Sequence, residues 1–168
     1  MHTISVTRTY LQLSSRDALR GEPLAQGFRI EHADPCPVPF FRYLYAEVGR
    51  EHRWRDRLGW TDEQCAAHLA HPGISIWVLY GHGAPAGYFE LNQQQDGSIE
   101  IAYLGLMRDY IGRGLGKQLL SAATERAWNL GASRVWLHTC TLDYPSALPN
   151  YLARGFVKFR EEEYHVLR

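Results

Sequence analysis

The chain has 168 residues, which is enough for one domain with a sizeable hydrophobic core. Hydrophobic residues make up 45% and charged residues 21%, a composition that excludes a disordered protein. Eighteen basic residues balance eighteen acidic ones, and this zero net charge disfavours a general nucleic-acid or membrane-surface binder.

Three further features concern the compartment in which the protein works. The N-terminal residues MHTISV lack the charged segment and apolar core of a secretory signal, and no apolar run is long enough to span a bilayer. The three cysteines, Cys36, Cys65 and Cys140, are odd in number and far apart, as is typical of proteins that keep reduced thiols. Together these features predict a cytoplasmic protein without a membrane partner.

The first half of the chain is predicted to contain two strands followed by two helices. Residues 3–13 partly alternate and are rich in β-branched side chains, and residues 28–33 form a second, shorter strand. Apolar residues then recur at helical spacing over 40–49. A second helix should run from Thr61, which begins a capping box, to the residue before Pro72.

From residue 74 onwards the hydrophobic period changes to two. Residues 74–81, 88–93 and 98–107 are separated by Gly-containing turns and predict a three-stranded antiparallel meander. The elements that follow are a long helix over 115–131, a strand over 134–141, a short helix over 145–154 and one or two strands over 156–166. Because the chain shows no repeat and no linker, we predict one domain over residues 1–168.

A Gly-rich segment, YIGRGLGKQL, connects the meander to the long helix. Glycine turns that lead into a helix expose backbone N–H groups at the positive end of the helix dipole, which suits an anion. The P-loop pattern fails, because Ile111 stands at its first glycine and Gln118 at its Mg²⁺-binding hydroxyl. The dinucleotide fingerprint fits Gly112 and Gly114 but meets Lys117 at its third glycine. A loop that only needs positive φ angles before a helix is the third interpretation.

The order of these elements, together with two motifs, resembles the GNAT superfamily of acyl-CoA-dependent N-acyltransferases. The loop motif of that superfamily, R/Q-x-x-G-x-G/A, corresponds to residues 111–116, with Ile111 in place of the usual Arg or Gln. Its second motif, Y-x-x-x-G-F, is intact over residues 151–156. The matching region runs from about residue 98 to residue 156, and the N-terminal half matches only in its order of elements.

The resemblance implies a mixed α+β fold. Its centre is a mostly antiparallel sheet of about seven strands, flanked by about four helices and splayed where the cofactor inserts. It also implies acetyl-CoA as co-substrate, no metal, and a Gly-rich loop that holds the pyrophosphate of coenzyme A. The expected cofactor contacts are Leu104, Gly105, Leu106, Ile111, Gly112, Arg113, Gly114, Leu115, Gly116 and Lys117. For Arg113 and Lys117, a role as solvated basic residues is equally open.

The activity implied by the resemblance is direct transfer of an acetyl or other short acyl group to a primary amine, through a tetrahedral intermediate. The amine belongs to a small molecule or a peptide. The Leu106 N–H would face the thioester carbonyl, and Tyr151 would assist departure of coenzyme A. Glu100 lies six residues before Leu106, the offset at which some relatives place a general base. The strand period puts Glu100 on the same face as Leu104 and Leu106, although an exposed or cross-strand-paired Glu is the alternative.

Four residues are candidate contacts of the acceptor substrate. Glu90 in the preceding strand is the competing base. His138 on the next strand has a suitable ordinary pKa near 6.5, although a strand histidine also serves structural roles. Trp54 and Trp60 lie between the two N-terminal helices, a segment that borders the acceptor site in the resembled fold.

A different class of function also fits these motifs. A non-catalytic acyl-CoA-binding module would keep the Gly-rich loop but would not need Glu100 or Tyr151. An ATP-binding protein is disfavoured by Gln118. The sequence leaves open the acceptor amine, the acyl chain and the oligomeric state, a homodimer included, and it predicts no nucleic-acid partner.

Overall fold

The computed structural model of the protein describes residues 2–167. Its strands are β1 (Thr3–Leu13), β2 (Phe28–His32), β3 (Ile74–Gly81), β4 (Ala84–Gln93), β5 (Ser98–Leu106), β6 (Arg134–Cys140) and β7 (Val157–Leu167). Its helices are α1 (Val38–His52), α2 (Asp62–Ala70), α3 (Leu115–Asn129) and α4 (Ala147–Ala153). Within this part of the chain the strands form one seven-stranded sheet in the order β2-β3-β4-β5-β6-β1-β7. All neighbours are antiparallel except β5 and β6, which confirms the predicted fold class.

Local signals account for the positions of the helix ends. The capping box of α2 is formed: Gln64 N–H donates to Thr61 Oγ1 at 3.1 Å, and Thr61 N–H donates to Gln64 Oε1 at 2.9 Å. Helix α1 continues past its predicted end at Gly49 and stops only where Arg53 takes a left-handed conformation with φ 57°. Arg53 begins the connection between α1 and α2, and residues 53–57 of this connection line a cavity.

The sheet has a hydrophobic core on each face. Helix α3 packs on one face through buried residues such as Leu119 and Ala123, which belong to the same cluster as Phe89 and Leu91 of β4. Helices α1 and α2 cover the other face. The α1 and α2 residues of that second core are Phe41, Leu44, Val48 and Cys65, and the sheet residues are Ile76, Val78 and Tyr88.

Strands β5 and β6 separate soon after they meet. Only three residue pairs join them, from Ser98–Arg134 to Glu100–Trp136. β6 continues alongside β1, whereas the second half of β5 stays with β4. The backbone of β5 after Glu100 therefore faces an open gap in the sheet instead of a neighbouring strand.

A β-bulge in β5 corrects one prediction. The β4–β5 register shifts so that Ala102 has no partner of its own, and this extra residue reverses the alternation of side chains. Leu104 and Leu106 join the core on the α3 face, whereas Tyr103 packs on the α1 face. Glu100 therefore shares its face with Tyr103, and the prediction that it shares a face with Leu104 and Leu106 is wrong.

Candidate active site

The Gly-rich loop forms an open cradle at the start of α3. Gly114, the residue before the helix, has φ 76°, a left-handed conformation that a residue with a side chain adopts only with strain. A Cβ atom built on Gly112 would meet no atom within 4 Å, and one on Gly116 would come no closer than 3.9 Å to the nearest atom, Asn150 Nδ2. The loop and the start of α3 thus border unfilled space, and the first N–H groups of a helix have no intrahelical partner, a combination that suits an anion.

A cavity of about 370 Å³ extends from this cradle along the free side of β5. We call it the smaller cavity. Its wall contains eight residues of the predicted cofactor set, namely Leu104, Gly105, Leu106, Ile111, Gly112, Gly114, Gly116 and Lys117. The wall also contains Tyr144, Asn150 and Tyr151, from α4 and the segment before it, and His52, the last residue of α1.

Two residues of the predicted cofactor set lie outside this wall. The side chain of Leu115 is 3% exposed and packs into the core beneath α3. The Arg113 guanidinium lies 5.2 Å from the ring centre of Tyr110, and Arg113 is exposed on the protein surface. The structure therefore does not bring these two side chains to the smaller cavity.

The backbone of β5 presents free polar groups to the gap. Met107 N–H donates to Ala86 C=O at 2.8 Å. Because bonded and non-bonded pairs alternate along antiparallel strands, the N–H of Leu106 points away from β4 and into the gap. Leu104, two residues earlier, has the same orientation.

A larger cavity, of about 660 Å³, adjoins the smaller one. His52, Leu104 and Tyr151 line both cavities and therefore mark their junction. The larger cavity is also lined by the predicted residues Trp54, Glu90, Glu100 and His138. Trp60 is not in its wall; it packs edge-on against His68, 5.2 Å between ring centres, and under the Arg57 guanidinium.

Glu100 is a largely desolvated carboxyl group in the wall of the larger cavity. Its side chain is 16% exposed, and its nearest polar neighbours are Gln94 Nε2 at 3.4 Å and His138 Nε2 at 4.0 Å. Burial, and then the negative charge of Glu90, raise the pKa of Glu100 to about 7, although Arg57 opposes the shift. This group can therefore gain or lose a proton near neutral pH.

Glu90 has a different environment from Glu100. It is fully buried, and its two oxygens accept from Arg57 Nη1 at 2.7 Å and Nη2 at 2.8 Å, with His68 Nε2 at 3.1 Å. Burial alone would raise the pKa of Glu90, but the hydrogen bonds from Arg57 and His68 hold it below its usual range. A carboxylate held by these donors is a poor proton acceptor.

Tyr151 is placed by the second motif. Gly155 has φ 102°, and a Cβ atom there would lie 2.2 Å from the carbonyl oxygen of Ala18, so only glycine fits this turn. Phe156 is buried beside it and anchors the end of the motif. Tyr151 is 8% exposed and lies at the cavity junction, where burial raises its pKa above the usual range. Its hydroxyl therefore stays protonated at neutral pH.

Two histidines lie beside these groups. His138 is partly exposed, and burial, followed by the charge of Arg8, lowers its pKa. His52 stacks on Trp54 with 5.2 Å between ring centres, and burial lowers its pKa as well. No pattern in the sequence points to His52, because the cavities that it lines form only in three dimensions.

Membrane-spanning helices and metal-binding clusters are both absent from residues 2–167. None of the helices described there has the length and apolar character needed to cross a membrane. The same residues contain no cluster of three His, Cys, Asp or Glu side chains suited to a metal ion.

Several solved acetyltransferase structures share this fold. A GCN5-related N-acetyltransferase from Sphaerobacter thermophilus superposes with a TM-score of 0.73 at 14% identity, over 95% of this chain and 50% of that one. A GCN5-related N-acetyltransferase from Kribbella flavida gives 0.70 at 18% identity, over 97% and 58% of the two chains. An aminoglycoside acetyltransferase from an uncultured soil metagenomic sample gives 0.63 at 17% identity, over 76% and 87%. At these identities the likeness concerns the fold alone.

Sequence comparison identifies the family. An uncharacterized N-acetyltransferase of Lactobacillus delbrueckii subsp. lactis is 30% identical over 108 residues, which are 60% of this chain and 62% of that protein. The chain thus spans about six tenths of this curated relative. The model of the acetyltransferase (GNAT) family matches residues 38–156, a range that contains β4, β5 and β6, the Gly-rich loop and the Tyr151 motif. The chain belongs to the acetyltransferase (GNAT) family.

Proposed function

We propose that the protein transfers an acetyl or other short acyl group from acetyl-CoA to a primary amine of a small molecule or peptide. One observation carries this proposal. Tyr151 lines both the cavity that extends from the anion cradle and the cavity that contains Glu100, a carboxyl group whose pKa burial raises to about 7. The free cysteines are consistent with a reducing compartment, and we expect a cytoplasmic enzyme.

The smaller cavity has the features that coenzyme A requires. The cradle offers backbone N–H groups, with Lys117 beside them, to a pyrophosphate. The free N–H and C=O groups of Leu104 and Leu106 face the gap, where they can pair with the amides of a pantetheine arm. When bound, acetyl-CoA supplies the activated acyl group.

Glu100 is suited to accept the proton that an ammonium group must lose before it can attack. A base works best when its pKa lies near the working pH, and burial holds Glu100 there. His138 Nε2 lies 4.0 Å from Glu100 Oε1, too far for a direct hydrogen bond, so proton exchange between them would need a bridging water. Glu90 remains the competing base, although Arg57 and His68 already occupy its carboxylate.

The Leu106 N–H and the Tyr151 hydroxyl are hydrogen-bond donors that can stabilise the negative charges that develop during acyl transfer. The Leu106 N–H can donate to the carbonyl oxygen as negative charge builds on it, an interaction that contributes roughly 3–4 kcal/mol per donor in acyl-transfer enzymes. Tyr151 retains its proton and can donate a hydrogen bond to the departing thiolate.

Binding of acetyl-CoA tests the cradle. We expect acetyl-CoA to raise the thermal midpoint, because a ligand at a hundredfold excess over its Kd adds about 2.7 kcal/mol to the stability of the folded state. Gly116→Val should abolish this shift with little effect on the free protein, since a Cβ atom at Gly116 meets nothing closer than 3.9 Å. The measurement is the midpoint with and without acetyl-CoA.

Gly59→Val is the matched control, because Gly59 lies between α1 and α2 and a Cβ atom there meets nothing within 4 Å. It should keep the full shift. Gly114→Val is a poorer test, since φ 76° would strain any side chain and lower stability by itself. An undiminished shift in Gly116→Val would rule out the cradle as the pyrophosphate site.

A further inference from the structure

The charged groups that line the larger cavity indicate which class of acceptor it binds. This inference rests on the proposed transfer to an amine. Four arginines and four carboxylates line the cavity: Arg8, Arg53, Arg55 and Arg57, with Asp56, Glu90, Glu100 and Asp143. The formal charges balance. The character of the site therefore depends on which groups the protein itself already occupies.

Three of the four carboxylates are engaged by protein donors. Glu90 is held by Arg57 and His68. Asp56 accepts from the Tyr45 hydroxyl at 2.6 Å and from the hydroxyl of Tyr103.

Asp143, the third, lies in the turn after β6. It accepts from the Thr139 hydroxyl at 2.5 Å and from the Cys140 N–H at 2.9 Å. Glu100 is thus the carboxyl group with the fewest protein donors, and the proposed mechanism reserves it for the reacting amine.

Three of the four arginines lack such close pairing, and Arg57, which holds Glu90, is the exception. Within residues 2–167, Arg53 and Arg55 form no ion pair, and both are exposed at the rim. Arg8 approaches a carboxylate only at 3.9 Å, at Glu162, and its buried Nε has no hydrogen-bond partner in the described part of the chain. After internal pairing, the cavity therefore offers cations and few anions.

We propose that the acceptor is an amine that also carries a carboxylate, as an amino acid or a short peptide does. The amine would reach Glu100 while the carboxylate binds a guanidinium at the rim, where the planar fork of arginine matches two carboxylate oxygens. Trp54 and Tyr103, which meet edge-on at 4.8 Å, provide an apolar wall for the body of the acceptor. A polycationic acceptor would instead meet unpaired arginines.

Matched acceptor pairs test this assignment. Phenylalanine is compared with 2-phenylethylamine, and 6-aminohexanoate with hexylamine, so that each pair differs mainly in the carboxylate; spermidine represents the polycations. We expect the carboxylate-bearing member to have at least a tenfold higher kcat/KM.

Two arginine variants locate the guanidinium that binds the carboxylate: the double variant Arg53→Gln/Arg55→Gln, and separately Arg8→Gln. In one of them the KM for the carboxylated acceptor should rise about tenfold, while the KM for the matching amine without a carboxylate stays unchanged. Arg50→Gln, which pairs with Glu47 outside the cavity, is the control and should change neither.

Acceptor binding is measured in parallel through the thermal midpoint in the presence of coenzyme A, which needs no turnover. A higher kcat/KM for the neutral amines or spermidine would overturn the inference and leave the transferase intact. So would an unchanged carboxylate preference in both arginine variants. If no amine is acetylated, the proposed function fails. The binding comparison still tests the charge preference, because that preference requires that only carboxylated amines raise the thermal midpoint.

Discussion

Tyr151→Phe should lower kcat at least tenfold while stability and acetyl-CoA affinity stay near those of the parent protein. The substitution keeps the buried ring at the cavity junction and removes only the hydroxyl. A protonated hydroxyl that bonds the leaving thiolate acts mainly in the transition state, and acid assistance of this kind contributes 10²- to 10⁴-fold, or roughly 3–5 kcal/mol.

The measurement is single-turnover thiol release, in which product dissociation cannot mask the chemical step. Tyr43→Phe is the matched control, because Tyr43 is 46% exposed on α1 and lines neither cavity. Tyr151→Phe with an undiminished single-turnover rate would mean that Tyr151 only packs against Phe156 and its neighbours.

Glu100→Gln should remove the acidic limb of the pH profile and lower kcat by about 10²- to 10⁴-fold. The sign follows from the raised pKa: a base works only when deprotonated, so the activity of the parent should rise as pH increases through about 7. The glutamine has no proton to lose in this range, and its residual activity should lack that rise. The pH dependence of kcat/KM reports the free enzyme, and acetyl-CoA affinity should be unchanged because Glu100 lies outside the smaller cavity.

Glu90→Gln distinguishes the two carboxylates. Because the charge of Glu90 raises the pKa of Glu100, its removal should move the acidic limb to lower pH without abolishing it. Breaking the buried pair with Arg57 should also destabilise the fold by roughly 3–5 kcal/mol, so the profile is recorded well below the midpoint of the variant. A limb that persists in Glu100→Gln and vanishes in Glu90→Gln would identify Glu90 as the base.

Local signals in the sequence account for most of the fold. The capping box at Thr61, the period of two after residue 74 and the glycines around Gly114 act within a few residues, so a single sequence contains them completely. The Y-x-x-x-G-F motif similarly fixes the turn at Gly155. Most of the wall of the smaller cavity follows from these elements, because β5, the loop, the start of α3 and α4 supply it, and His52 of α1 is the residue that they do not account for.

The parts that sequence reasoning missed depend on contacts between distant segments. Glu90 finds Arg57, which is 33 residues away, only because the α1–α2 connection folds over β4. The extra residue at Ala102 has no signature in composition, yet it determines the face on which Glu100 lies. Leu115 is among the predicted cofactor contacts because it lies within the loop motif. Consecutive residues of a helix point in different directions, and the helical period directs the Leu115 side chain into the core.

We propose that the two cavities hold the donor and the acceptor of one reaction. Acetyl-CoA turnover against a panel of amino acids, peptide N-termini, simple amines, polyamines and aminoglycosides tests this proposal. Thiol release and the mass of the acetylated amine are measured together. We predict that at least one amine is acetylated with one thiol released per product, and that this activity falls in Tyr151→Phe and Glu100→Gln. Acetyl-CoA binding without acetylated product from any amine of the panel would exclude the proposed transfer and leave a non-catalytic acyl-CoA-binding module.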